Sequence, residues 1–127
     1  MIGRALIASI REEPTDKIWQ ESIALNENIS DSPNEVWQTI VEALDLTKNG
    51  DTIAAIATCL LEHLLEQDFT WFGSVAERVQ RGDDKLLYAL SVCSKFGEST
   101  KAENSSRWNR MLEENARLID HLRRLYD

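Results

Sequence analysis

Residues 51–67, DTIAAIATCLLEHLLEQ, decide the fold of this protein. Apolar residues recur in this stretch at helical spacing and cover more than half of a helix circumference, a pattern typical of a helix buried on most sides. Asp51 or Thr52 can cap its first turn, and Asp68 follows its last. We therefore expect residues 51–67 to form the central helix, with the other segments packed around it.

Upstream of this helix, three segments follow a helical period. Residues 2–12 and 15–27 predict two helices that Pro14 separates. Ser32 precedes a proline and lies three residues before Glu35, so it predicts an N-cap with a capping box at the start of a third helix. We expect the apolar residues of the second helix to face the core, namely Ile18, Trp19, Ile23 and Leu25.

Downstream, residues 71–81 and 84–96 predict two further helices, because Gly82 and Gly97 follow their apolar patterns. Asp83 or Asp84 is expected to cap the second of them. Residues 99–127 predict one long amphipathic C-terminal helix, which can start at Ser99 or at the Ser105-Ser106 pair. Its apolar stripe includes a tryptophan, Trp108, that we expect in the core.

These patterns predict an all-α fold of about six or seven helices within one domain, residues 1–127. The chain has only 5 glycines and 2 prolines, which favours long helices over a many-turned β fold. Residues 1–30 could form a looser N-terminal helical pair. A single compact bundle and a short stack of antiparallel helix pairs both remain open.

The charge balance narrows the class of partner. The chain carries 22 acidic and 14 basic side chains, a net charge of −8, and most of the excess lies before the last segment. Such acidity disfavours nucleic acid and anionic membranes as partners and favours a basic protein, although it could serve solubility alone. The sequence predicts neither a membrane span nor a signal peptide, and its 2 cysteines are interpreted as reduced, so we expect a cytoplasmic location.

No motif predicts catalysis, a metal or a cofactor. Glu62, His63 and Glu66 share one helix, either as a partial metal-ligand set or as the polar stripe of an amphipathic helix, and we favour the stripe. Trp71, in an aromatic junction after Asp68, is either an interface anchor or a plug at one end of the bundle. If the helices 51–67 and 84–96 lie side by side, their acidic ends could share an edge. The expected partner-binding residues are Glu62, Glu66, Asp68, Trp71, Asp83 and Asp84.

Residues 57–65, ATCLLEHLL, resemble the signature helix of a bacterial all-helical family of unknown function. That family has a Leu-Glu-x-Leu-Leu helix after a stretch of small residues, with a tryptophan-containing helix upstream. Residues 37–40 correspond to the upstream helix, and residues 75–84 to the part downstream. The resemblance implies an all-helical fold and assigns no chemistry. In size, acidity and helical build the chain is also similar to the immunity proteins of bacterial toxin systems.

Together these observations predict a non-catalytic acidic binding protein, in the manner of an immunity or antitoxin-like inhibitor that occludes a basic bacterial toxin or enzyme. One alternative is a helical scaffold or adaptor, which could form a homodimer through Ile119 and Leu122 of the final helix. The least favoured alternative is an enzyme of an unrecognised class, which a pocket containing His63 and convergent carboxylates would support.

Overall fold

The computed structural model describes residues 2–12 and 15–127, and Pro14, the predicted helix breaker, lies outside this part. The described residues are helical with no strand, so the predicted all-α class is confirmed. A π-helical turn spans Ala57–Leu61, and a 3-10 turn spans Gly97–Thr100. None of these helices is long and apolar enough to cross a membrane. The helices are α1 Arg4–Glu12, α2 Thr15–Asn26, α3 Pro33–Leu46, α4 Gly50–Ile56, α5 Glu62–Gln67, α6 Trp71–Gln80, α7 Asp84–Val92, α8 Ala102–Glu114 and α9 Ala116–Tyr126.

Helices α4 and α5, with the π turn between them, form one continuous helical rod over residues 50–67 at the centre of the fold. The prediction of a central buried helix is confirmed, because α2, α3 and α7 all pack against this rod. Burying its large side chains stabilises the fold by about 1.5–3 kcal/mol each. Those that are almost completely buried are Ile53, Ile56, Leu60, Leu61, Leu64 and Leu65.

Two helix starts differ in detail from their predicted form. Ser32 is the N-cap of α3 with a proline in the first turn, but its side chain makes no capping hydrogen bond, so the predicted capping box does not form. Helix α4 begins at Gly50, because the side chain of Asn49 accepts a hydrogen bond from the N–H of Asp51 at 2.8 Å. Asp83 caps α7 by accepting from the N–H of Leu86, as predicted.

The prediction of one long helix over residues 99–127 is wrong. Residues 97–100 form the 3-10 turn, and Asn115 interrupts the rest between α8 and α9. The side-chain amide of Asn115 donates to the Met111 carbonyl at 2.8 Å, and its backbone N–H donates to the same oxygen at 3.2 Å. Asparagine competes in this way for a helical carbonyl, and the break turns α9 back onto α7. Trp108 of α8 is buried in the core, as predicted.

One residue of α2 faces the opposite way from its prediction. Ile23 was expected in the core, but 59% of its surface is exposed. Ser22 occupies the buried position instead, and its hydroxyl group donates to the Ile18 carbonyl at 2.8 Å. Because this serine is small and its hydroxyl group bonds within its own helix, α2 can pack closely against α4 at this point. Neighbouring helical residues differ by about 100° in direction, so Ile23 must then point outward.

Candidate functional site

The side chain of His63, on α5, is held in place by three neighbours. Its Nδ1 lies 2.8 Å from Oε1 of Glu66, and its Nε2 lies 3.7 Å from Oε2 of Glu62. The ring also stacks on that of Phe96, with centroids 6.2 Å apart and planes within 7° of parallel. The hydrogen bond at Nδ1 and the stacking on Phe96 together define the orientation of the imidazole, and Glu62 adds a carboxylate near Nε2.

Glu62 was expected on a partner-binding surface, but only 7% of this residue is exposed. Its Oε1 accepts a hydrogen bond from the backbone N–H of Ser94 at 2.6 Å. That N–H follows the end of α7, in a segment that makes no regular helical bonds, and a charged acceptor satisfies it strongly. Glu62 therefore holds the chain between α7 and the 3-10 turn, and the prediction that it contacts a partner is not supported by its position.

The next anchor in the same segment is Gly97. Its φ is +49°, a left-handed conformation that favours glycine. A Cβ atom added there would lie 2.8 Å from both the Cγ and the carbonyl oxygen of Glu66, so the backbone approaches α5 closely. This approach positions Phe96, whose ring covers His63 while 43% of the residue remains exposed. The hydrogen bond from Ser94 to Glu62 and the close approach of Gly97 to Glu66 thus hold the segment that carries this exposed ring.

The π turn contributes a different feature beside His63. The backbone N–H of Glu62 bonds to the Ala57 carbonyl five residues earlier, which widens the helix at this point. The Cys59 carbonyl accepts instead from the side-chain amide of Asn26 at 2.6 Å, across to the end of α2. An open cavity of about 320 Å³ lies between the two elements, and its wall consists of Ile23, Asn26, Glu27, Thr58, Cys59 and His63.

Five residues around the imidazole form one contiguous surface, which we call the His63 patch: Ile23, Glu27, His63, Glu66 and Phe96. It combines two exposed apolar side chains with two carboxylates around a fixed imidazole.

Lys95, the neighbour of Phe96 in the sequence, is directed away from the His63 patch. Its ammonium group bonds to Ser105 at 2.8 Å and to Asn109, and lies 6.0 Å from the ring centroid of Trp108. The nearest lysine in the sequence is therefore engaged with α8, and the patch keeps its acidic and apolar character.

Asp68 and Trp71, both expected to contact a partner, lie beyond the end of α5. Asp68 is exposed, and its carboxylate accepts from the backbone N–H and hydroxyl group of Thr70 at 3.0 and 2.6 Å. These hydrogen bonds lower the pKa of Asp68. Trp71 is half-buried, with its ring centroid 5.8 Å from that of Trp37. Both residues have local structural partners, and Trp71 combines a packed side with a partly exposed one.

Asp83 and Asp84 could have shared an edge with the acids of α5 if the two helices lay side by side, but the structure places the two groups apart. The C-terminal end of α7 meets Glu62 through Ser94, whereas Asp83 lies at the other end, about 16 Å away at 1.5 Å per residue. The acids would have met only if the two helices ran antiparallel. Asp83 also binds Arg78 at 3.0 Å, in a corner with three acidic and three basic residues.

The thiols and the final helix bear on the alternative functions. Burial raises the pKa of both Cys59 and Cys93, which disfavours the thiolate that a nucleophile requires. In the described residues, no group of three His, Cys, Asp or Glu side chains could hold a metal ion. Ile119 and Leu122, the proposed dimer contacts, are buried in the core of the chain itself, whereas Leu125 remains exposed.

No protein-family model, curated protein or solved structure matches the chain. Sequence reasoning found Glu66 and noted His63, but missed Ile23, Glu27 and Phe96 as surface residues. The sequence feature that could have indicated an exposed Phe96 is the Phe96-Gly97 pair, which the sequence analysis interprets only as a helix end.

Proposed function

We propose that the protein is a non-catalytic binding protein that recognises a basic protein through the His63 patch. The simplest form of this function is an immunity or antitoxin-like inhibitor that covers the basic cleft of a bacterial toxin or enzyme. The observation that carries the proposal is Phe96, an exposed ring stacked on an imidazole that one carboxylate binds and a second one approaches. The resemblance to an all-helical bacterial family is compatible with this function but does not identify it.

The geometry suits an anchor residue of an interface. Aromatic side chains contribute strongly at interface centres, and a ring that is already fixed loses little conformational entropy on binding. The Phe96 ring is fixed by its stacking on His63, and its backbone is fixed by Gly97 and by the hydrogen bond that the Ser94 N–H donates to Glu62. A partner that covers this ring would bury apolar area without first ordering the loop.

The charge suits the same kind of partner. Glu27 is exposed and Glu66 is half-buried, and both carboxylates belong to the patch. They add a local attraction to the long-range field of a chain with net charge −8. Such fields accelerate encounter with an oppositely charged protein and lose their effect as salt increases. A basic surface with a small apolar depression therefore fits the patch in both charge and shape.

The test requires a partner isolated at low salt from the source cells, followed by measured binding kinetics with purified proteins. We expect Phe96→Ala to weaken affinity about tenfold, or 1.4 kcal/mol, mainly through faster dissociation. The double reversal Glu27→Lys with Glu66→Lys should slow association and flatten its salt dependence. The matched control is Glu113→Lys with Asp120→Lys, two exposed carboxylates on α8 and α9 that make the same charge change away from the patch.

Circular dichroism of every variant checks that its helices remain intact. An inhibitor should also suppress the partner's activity at an equimolar ratio, whereas an adaptor would bind the partner without suppressing its activity. The proposal fails if the isolated partner is not basic, or if the patch variants and the control variant bind it equally well.

A further inference from the structure

We infer that the cavity beside His63 is a binding site for the guanidinium group of an arginine side chain, presented by the partner protein. This inference rests on the proposed function and makes it more specific, because it assigns a chemical group of the partner to a defined cavity. Several hydrogen-bonding groups in the wall of the cavity still have room for a partner, and their chemistry indicates the ligand.

The unused groups of the wall are acceptors. The Cys59 carbonyl can only accept, so Asn26 must turn its NH₂ group toward it, and the amide oxygen of Asn26 is left for the cavity. The hydroxyl group of Thr58 donates its proton to the Ala54 carbonyl at 2.9 Å and also contacts the Cys59 thiol, so one lone pair of its oxygen remains for a donor. The third acceptor is the exposed carboxylate of Glu27. These three groups together favour a ligand that carries several donors.

Charge supports the same choice. Among the described residues, the cavity wall contains the Glu27 carboxylate and the His63 imidazole, and it contains no lysine or arginine. Glu66 and Glu62 stand behind His63, at 2.8 and 3.7 Å from its nitrogens, and add negative charge next to the cavity. A cationic group entering the cavity would therefore meet complementary charge, whereas an anion would meet repulsion.

Size and shape point to a long side chain. A volume of about 320 Å³ lies at the small end of the range for ligand pockets, roughly 300–1,000 Å³, so the cavity is suited to a single side chain. Ile23 provides an apolar wall along which methylene groups can lie, in the way that arginine and lysine stems cover apolar surface.

Arginine fits better than lysine because the acceptors are spread over two elements. Asn26 is the last residue of α2 and Glu27 follows it, whereas Thr58 belongs to the π turn. A guanidinium group has five N–H donors in a rigid planar fork and can reach separate acceptors at once, whereas an ammonium group is a compact point charge.

The inference can be tested with small probes and the full chain. Isotope-labelled protein is titrated with the amide of acetyl-arginine and followed by NMR, with the amides of acetyl-lysine and acetyl-citrulline as matched controls. We expect saturable shifts confined to residues 23–27 and 57–63 with the arginine probe, weaker shifts with lysine, and none with citrulline, which has the same shape without the charge. Glu27→Gln should weaken arginine binding at least fivefold, and Asp16→Asn, an exposed carboxylate on α2, should leave it unchanged.

Equal responses to arginine and citrulline, or unchanged binding by Glu27→Gln, would overturn the inference. The outcome for the proposed function is separate. If a basic partner binds and depends on Phe96 while the arginine probe does not bind, the guanidinium site is wrong and the proposed function stands. If the arginine probe binds in the cavity but the isolated partner does not depend on the patch, the proposed function is wrong and the guanidinium site stands.

Discussion

Substitution of Gly97 by alanine tests the contact that positions Phe96. A left-handed conformation costs a residue with a Cβ atom about 1–2 kcal/mol. At Gly97 the new Cβ would also lie 2.8 Å from the carbonyl oxygen of Glu66, a backbone atom that cannot simply rotate away. Overpacking of this kind typically costs about a further 1–3 kcal/mol. We therefore expect Gly97→Ala to lower the free energy of unfolding by about 2–5 kcal/mol.

The chain offers two matched controls. Gly82 also has a positive φ, +95°, but a Cβ atom there would meet nothing within 4 Å, so Gly82→Ala should cost only the conformational term of about 1–2 kcal/mol. Gly73 lies inside α6, and it too has open space around it. Gly73→Ala should therefore stabilise the protein, by about 0.5–1 kcal/mol.

Urea unfolding monitored by tryptophan fluorescence measures all three effects, since the chain has 4 tryptophans. The slopes of the transitions should remain equal, so that midpoints compare stabilities directly. For a domain of this size, 1 kcal/mol shifts the melting temperature by about 4 °C. If Gly97→Ala is no more destabilising than Gly82→Ala, the close approach of Gly97 to Glu66 is refuted, and with it our explanation for the position of Phe96.

Three other predictions concern buried polar groups. Asn26→Ala leaves the Cys59 carbonyl without its donor and should lower the free energy of unfolding by about 1–3 kcal/mol in urea titrations; an unchanged midpoint would contradict the role of this bond. Burial, with the hydrogen bond and charge of Asp127, raises the pKa of Tyr88 to about 12. The pKa of a tyrosine is about 10 in the unfolded chain, so the protonated phenol contributes fully to the stability of the fold below pH 10. This contribution to the free energy of unfolding is lost as the pH rises to about 12. Asp127→Asn should lower the pKa of the Tyr88 phenol in an absorbance titration. In Tyr88→Phe the titration step at the highest pH should disappear, which checks that this step belongs to Tyr88. Since burial raises the pKa of Cys93 well above its usual value, Cys93 should react with a thiol reagent much more slowly in the folded protein than in urea, and equal rates would argue against this burial; Cys59, in the wall of the open cavity, should be slowed less.

The candidate site was only partly predictable, and particular residues show why. Glu66 and His63 lie on the polar stripe of a predictable helix, so their shared location followed from helical spacing. Glu62 belongs to the same stripe, yet its burial depends on Ser94, which is 32 residues away in the sequence. Phe96 resembled an ordinary helix end, and its stacking on His63 requires the chain to return to α5. Contacts between distant residues leave no local periodicity, so spacing could not reveal them.

The sequence by itself determined the helical class, the central position of residues 51–67 and the acidic balance, because helical geometry imposes a period that single residues display. The tertiary structure decided how the helices run relative to one another, and so separated Asp83 from the acids of α5 by the length of α7. It also decided which turn of the central rod is a π turn, since the amide of Asn26 satisfies the Cys59 carbonyl there. These features arise from packing between segments, where the free energy depends on shape and hydrogen bonding that become defined only when the whole core assembles.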